Sequence, residues 1–133
     1  MNTLLWIGQI FLAVIFLYSG ICKSILTEHA LVARGQTGVA GRQPSLIRFI
    51  GISEIIGVIG IILPWWTGIL PFLTPLAAAC FATIMLLAAP IHYRLKEGRN
   101  VALNLFVLLI ALFVAWGRAR QTLAFLPEFP GHL

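Results

Sequence analysis

The sequence predicts an all-α protein, a four-transmembrane-helix antiparallel bundle forming a single domain over residues 1–133. Three observations carry that expectation. Of the residues 60% are hydrophobic and only 10% charged, whereas a soluble domain has about a quarter charged residues. Mean hydropathy is +1.00, and the apolar residues fall into four long runs separated by clustered charges. When those runs are folded back and forth, basic residues collect at one end and tryptophans at the other.

The first span is expected over 3–26. It lacks the basic n-region of a cleavable leader, and its apolar run is too long for an h-region, so this helix is expected to be retained. At about 100° per residue, Gln9, Phe16, Gly20 and Lys23 share one stripe, read as the inward face. Residues 27–45 carry four glycines or prolines, three charges and no apolar period, and read as a loop. A connector this long in so small a chain is also a candidate cap for a cavity.

The second span, 46–63, is expected to begin after Pro44 with Ser45 as N-cap and to stop at Pro64. Gly51, Glu54, Gly57 and Gly60 recur every third residue, so small residues that permit close helix approach surround a carboxylate. An isolated charge at that depth costs about 2.5–3.5 kcal/mol on the mild insertion scale. Glu54 therefore needs a partner, water or a proton. The third span, 69–92, follows a proline-rich turn; its alanines, Cys80 and Thr83 suggest tight packing, and Pro90 is expected to end or kink it before His92. A basic turn, HYRLKEGRN, leads to the fourth span, 100–118, with Asn100, Asn104, Leu108, Ala111 and Ala115 on one side. The remaining residues, 119–133, are expected to be a short outer tail with little fixed structure.

Charge sets the expected orientation. Lys23, Arg34, Arg42, Arg48, Arg94, Lys96 and Arg99 lie at the loop end, against Arg118 and Arg120 at the other, seven to two. By the positive-inside rule, loops 27–45 and 93–99 are cytoplasmic and both termini outside, in a bacterial inner membrane. Trp6, Trp65, Trp66 and Trp116 all fall at the outer end, as an interfacial belt does. The formal charge of +5 is explained by this asymmetry, so nucleic acid is not an expected partner; the lipid bilayer is.

The polar residues converge. At a rise of about 1.5 Å per residue, Lys23 and Glu54 differ in depth by roughly 8–9 Å, and their side chains lean toward each other, each toward its own helix N-terminus. A direct or water-bridged pair is expected. His92 ends the third span on the same side, and Asn104 sits one turn into the fourth, so all four helices bring a polar group to one cytoplasm-facing pocket, with Tyr18 or Tyr93 at its rim. Plainer readings exist for three of them: Lys23 snorkelling to headgroups, His92 as an interfacial histidine, Asn104 bonding a neighbouring helix. Glu54 is the strongest candidate, because an intramembrane ionisable group is a functional hypothesis by default. Cys22 and Cys80 form no CxxC and differ in depth by roughly 12 Å, beyond disulfide reach, so both read as packing residues. Neither metal site, histidine-ligated haem nor nucleophile triad is spelled out, and no cofactor motif is evident.

FLYSGICK around Lys23, FIGISEIIGVIGIILP, PLAAACFATIMLLAAPIHYR and the terminal AWGR together resemble the DoxX-like membrane proteins across nearly the whole chain. The resemblance implies a four-helix membrane bundle, and it singles out Ser19, Gly20 and Lys23, Gly51 and Glu54, and His92. Its founding member is the small membrane subunit of an archaeal thiosulfate:quinone oxidoreductase; other relatives accompany redox-stress enzymes, and a vertebrate branch assists receptor assembly. No thiosulfate site is recognisable here. The leading expectation is a membrane subunit of a redox complex, or a binder of quinone or another small hydrophobic molecule. Glu54 and His92 would exchange protons or hydrogen-bond, with Lys23, Ser19, Tyr18 and Asn104 as binding groups. Redox chemistry would need quinone or a partner's cofactor; the partner is a redox subunit or a second copy. Two other classes remain open: a non-enzymatic scaffold or assembly factor, and a small proton-coupled exporter.

Overall fold

A computed structural model describes residues 2–125. Four helices are long and apolar enough to cross a membrane: α1 (Asn2–Ile25), α3 (Pro44–Thr67), α4 (Leu73–Arg94) and α5 (Gly98–Phe125). A short helix α2 (Glu28–Ala33) lies in the first connection. The four long helices run antiparallel, α1 packing on α3 and α5, and α4 on α3 and α5. Their outward faces are apolar: Ile10, Val14, Phe49, Ile56, Leu87 and Leu109 are all at least half exposed. Water would disfavour that surface, and lipid accepts it. The exposed hydroxyls of Ser53, Thr67 and Thr83 donate to carbonyls four residues back on their own helices, so they bring no unpaired donor to the lipid.

The core forms where small residues admit large ones. Phe16 and Phe81 stack at 3.8 Å between ring centroids, and Phe81 occupies the space a Cβ on Gly57 would need. At Gly20 and Gly51 the backbones of α1 and α3 meet directly; a Cβ on either would stand 2.8 Å from the other's carbonyl oxygen. That approach brings Lys23 and Glu54 within reach of one another.

Several sequence expectations need correction. The 27–45 connection is not plain loop: Thr27 caps α2 by accepting from the Ala30 N–H at 3.2 Å, and a single 3-10 turn follows at Thr37–Val39. Leu31 and Val39 are buried there against Cys22 and Ile47, and that small apolar cluster folds the connection back onto the bundle. Ser45 is not the N-cap of the second span. Gln43 holds that position without a side-chain bond, and Pro44 takes the first turn, where its missing N–H is harmless. Pro64 does not stop α3, which continues to Thr67 and ends on Gly68 in the left-handed conformation. The carbonyl of Gly60, which Pro64 cannot satisfy, instead accepts from the Thr74 hydroxyl of α4 at 3.3 Å. Pro90 likewise lies inside α4, which starts at Leu73 rather than 69 and runs past His92 to Arg94. Cys80 and Thr83 face outward rather than packing inside, while Cys22 is buried as expected. The fourth helix runs on to Phe125 through residues expected to be tail; 126–133 lie outside the described residues.

Candidate functional site

At the loop end of the bundle, the Lys23 ammonium donates to Glu54 Oε1 at 2.9 Å. Glu54 is 1% exposed and Lys23 15%, so the pair is formed inside the protein. The end of α1 is fixed beside it by Arg48 of α3, whose guanidinium donates to the carbonyls of Lys23 and Leu26, both at 2.7 Å. These carbonyls belong to the last turn of a helix and its exit, where they lack intrahelical donors.

Glu54 borders a cavity of about 750 Å³. The other sequence-predicted residues, Lys23, Ser19, Tyr18, His92 and Asn104, line the same cavity, as does Asn100. Tyr93 does not; it is 76% exposed. The deeper walls are apolar, with Phe16, Ile84, Met85 and Val107 among them. Tyr18 of α1 and Leu103 and Phe106 of α5 both line the cavity and are about half exposed on the outer surface. The cavity therefore reaches the apolar exterior between α1 and α5, and the edge-to-face Phe11–Phe106 pair, 5.8 Å between centroids, bounds that side.

Gln36, Gly38 and Val39 of the first connection close the loop end, a contribution that turns the expected cap into named residues. A latch holds them. Glu97 Oε2 accepts from the Thr37 hydroxyl at 2.7 Å and from the Asn100 amide, and lies 3.2 Å from His92 Nδ1. A carboxylate only accepts, so Nδ1 carries the proton in this contact and Nε2, beside Gly38, is left as the free ring nitrogen. His92 thus lines the cavity while being paired with Glu97 and not with Glu54. Sequence reasoning missed Gln36, Thr37 and Glu97; the one signal was that Glu97 is the lone acid in an otherwise basic turn.

Glu97 is held below the ordinary carboxylate value of 4.5, first by the Thr37 hydroxyl and further by Asn100 and His92, with burial opposing them. A depressed folded value means that the latch's contribution is present above 4.5 and is lost as pH falls through the lower folded value. Amides of 35–41 are therefore expected to exchange faster on acidification to about pH 3, after correction for intrinsic rates. Glu97→Gln should already exchange fast at neutral pH. Equal protection at both pH values in the unaltered protein would remove the latch from consideration.

Three residues that line the cavity carry buried polar atoms with no hydrogen-bond partner among the described residues: Glu54 at Oε2, Asn104 at Nδ2 and Gln36 at both atoms of its amide. Buried polar atoms are rarely left so, and an unpaired one costs about 1–3 kcal/mol. Among the described residues there is no His, Cys, Asp or Glu group able to hold a metal ion.

The opposite end carries a second polar node that the sequence reading placed only among the outer charges. Arg118 is fully buried; its Nε donates to Gln9 Oε1 and its Nη1 to Asn2 Oδ1 and Gln121 Oε1, each at 2.6 Å. Gln9 Nε2 in turn donates to the Ile61 carbonyl at 2.7 Å, so α5, α1 and α3 are joined in one chain of bonds. The guanidinium sits 5.4 Å from the Trp6 ring centroid and 4.4 Å from that of Trp65. Trp6 and Trp65 thus turn toward the buried Arg118, while Trp116, half exposed, has Arg120 over its ring at 4.8 Å and Trp66 is exposed. The signal for Arg118 was present: Val107, Ala111, Val114 and Arg118 follow the spacing of one buried helix face.

Four apolar spans, an internal ion pair and a cavity at one end define a small multi-pass membrane protein. The chain belongs to the DoxX-like family, whose sequence profile matches residues 7–114 and so takes in most of all four spans. No curated protein and no solved structure is significantly similar to it.

Proposed function

We propose that the protein binds quinone or a similar small hydrophobic redox molecule in the loop-end cavity, as the membrane component of a redox complex. The observation that carries this reading is Glu54, a buried carboxylate on the wall of a largely apolar cavity, with one oxygen on Lys23 and the other without a partner among the described residues. A cavity of about 750 Å³ is the size of a small-molecule site. Its mix of apolar walls and a few polar atoms at one end suits an amphipathic ring. In this reading Glu54 and His92 exchange protons with the bound molecule, Lys23 holds Glu54 in place, and Asn104, Ser19 and Tyr18 orient the head group. Electrons would come from the ligand or from a partner's cofactor, since side chains of these types carry none. The basic loop ends favour an inner-membrane orientation with both termini outside and 27–45 and 93–99 cytoplasmic; a cysteine at Lys96 that labels from outside intact cells would reverse it.

Purification in mild detergent followed by mass spectrometry of extracted lipids is the direct test. A stoichiometric quinone is expected with the unaltered protein. Glu54→Gln and His92→Gln should keep the fold and lose complementation under oxidative or sulfur-compound stress, because an amide cannot titrate. If both variants fold and complement fully, the polar cluster is a scaffold only.

A further inference from the structure

We infer that His92 Nε2 is the atom through which the cavity exchanges a proton with its bound molecule, and that Glu97 is the positioning residue that holds it there. The inference rests on the binding role proposed above and deepens it, naming the exchanging atom, the carboxylate behind it and the glycine in front of it.

His92 lies in the last turn of α4, and its two ring nitrogens have different surroundings. Nδ1 is 3.2 Å from Glu97 Oε2, an oxygen that also accepts from the Thr37 hydroxyl at 2.7 Å and from the Asn100 amide. The carboxylate is thus fixed by the first connection and by α5, and the imidazole has one orientation that meets it. Such a partner keeps a proton on Nδ1 whether the ring is neutral or charged. Nε2 is then the nitrogen that changes. Bare, it accepts from a hydroxyl such as that of a hydroquinone; protonated, it donates to a carbonyl such as that of a quinone. In the transfer the O–H bond breaks, the Nε2–H bond forms, and the charge on the ring faces Glu97.

Nε2 is also open. It has no partner among the described residues, and no atom of His92 is among those buried without one; the side chain is 12% exposed. Within 4 Å a Cβ on Gly38 would meet only the His92 ring, 3.6 Å from Nε2 and 3.7 Å from Cε1. The glycine therefore leaves a carbon-sized space beside that nitrogen, and both residues line the cavity. Of the other titratable groups on the wall, Lys23 and Glu54 engage each other at 2.9 Å, and Tyr18 is more than half exposed.

The test is nitrogen-15 spectroscopy of the full chain in detergent, labelled at its three histidines, with His92→Gln identifying the His92 signals. In mildly alkaline buffer a protonated Nδ1 and a bare Nε2 are expected, the reverse of the form that predominates in free histidine. Glu97→Ala should return His92 to that free form. Thr37→Val, which removes only the cover's bond to the carboxylate, should not, and the contrast separates positioning of the ring from closure of the cavity. A short-tailed benzohydroquinone, added under anaerobic conditions, should shift Nε2 and leave the proton on Nδ1. Gly38→Ala should keep the tautomer and weaken binding of that probe by about tenfold or more, as one extra methyl-sized group does in a fitted pocket. A bare Nδ1 in the unaltered protein, or a tautomer unmoved by Glu97→Ala, overturns the positioning role. Binding of the probe without a shift at Nε2, or undiminished binding in Gly38→Ala, overturns exchange at that atom and leaves the proposed function standing. A probe that does not bind at all overturns both.

Discussion

Lys23→Ala is expected to destabilise the bundle in detergent by about 3–5 kcal/mol, the range found when one member of a buried ion pair is removed. Its partner Glu54 is 1% exposed, and the only donor to either of its oxygens among the described residues is Lys23. Truncating Lys23 therefore leaves a buried carboxylate with no compensating charge. The double variant Lys23→Ala, Glu54→Gln removes the charge as well and should recover most of the loss, since neutral replacements of buried pairs are often tolerated. Thermal or denaturant unfolding of the four proteins closes the cycle. Losses that simply add would mean that the 2.9 Å contact carries no coupling.

Arg118→Ala should have the second largest effect, a loss of about 3 kcal/mol. Alanine vacates a fully buried volume between Trp6 and Trp65 and strips the donors from Gln9, Asn2 and Gln121. The Gln9 side-chain oxygen, itself buried, is then unsatisfied. Arg118→Met refills the volume without the donors and should lose less, and adding Gln9→Leu to Arg118→Met should restore part of the remainder. The same unfolding measurement applies. An unchanged midpoint for Arg118→Ala would show that the node does not tie the helices together. Loop-end binding should survive in Arg118→Met, because the node and the cavity occupy opposite ends of the bundle.

The residues that were legible early share a property: their reason for being where they are lies within one or two helical turns. Glu54 stands out because hydrocarbon penalises charge whatever the fold. Lys23 follows from helix rise and side-chain tilt, which bring the two groups to a common depth. Asn104 and His92 follow from span ends. Glu97 and Thr37 were not legible in this way, because each matters through contact with a distant segment, the Thr37–Glu97 bond being separated by 60 positions. Pro64 misled for a related reason. A local rule ends the helix there, and a hydroxyl from α4 overrides it by supplying Gly60 with the missing donor.

By itself the sequence determined the four spans, the end at which charge collects and the identity of the buried pair, because each follows from the energy of transferring residues into hydrocarbon and from helical period. Tertiary structure alone decided the rest. It chose the 35–39 segment as the cover of the cavity, turned His92 to Glu97, and made Arg118 an internal cross-link rather than an exposed end charge. The physical reason is that hydrogen-bond partners between helices depend on rotation and register of whole elements. Hydropathy leaves those undetermined, and packing such as the Gly20–Gly51 backbone contact fixes them.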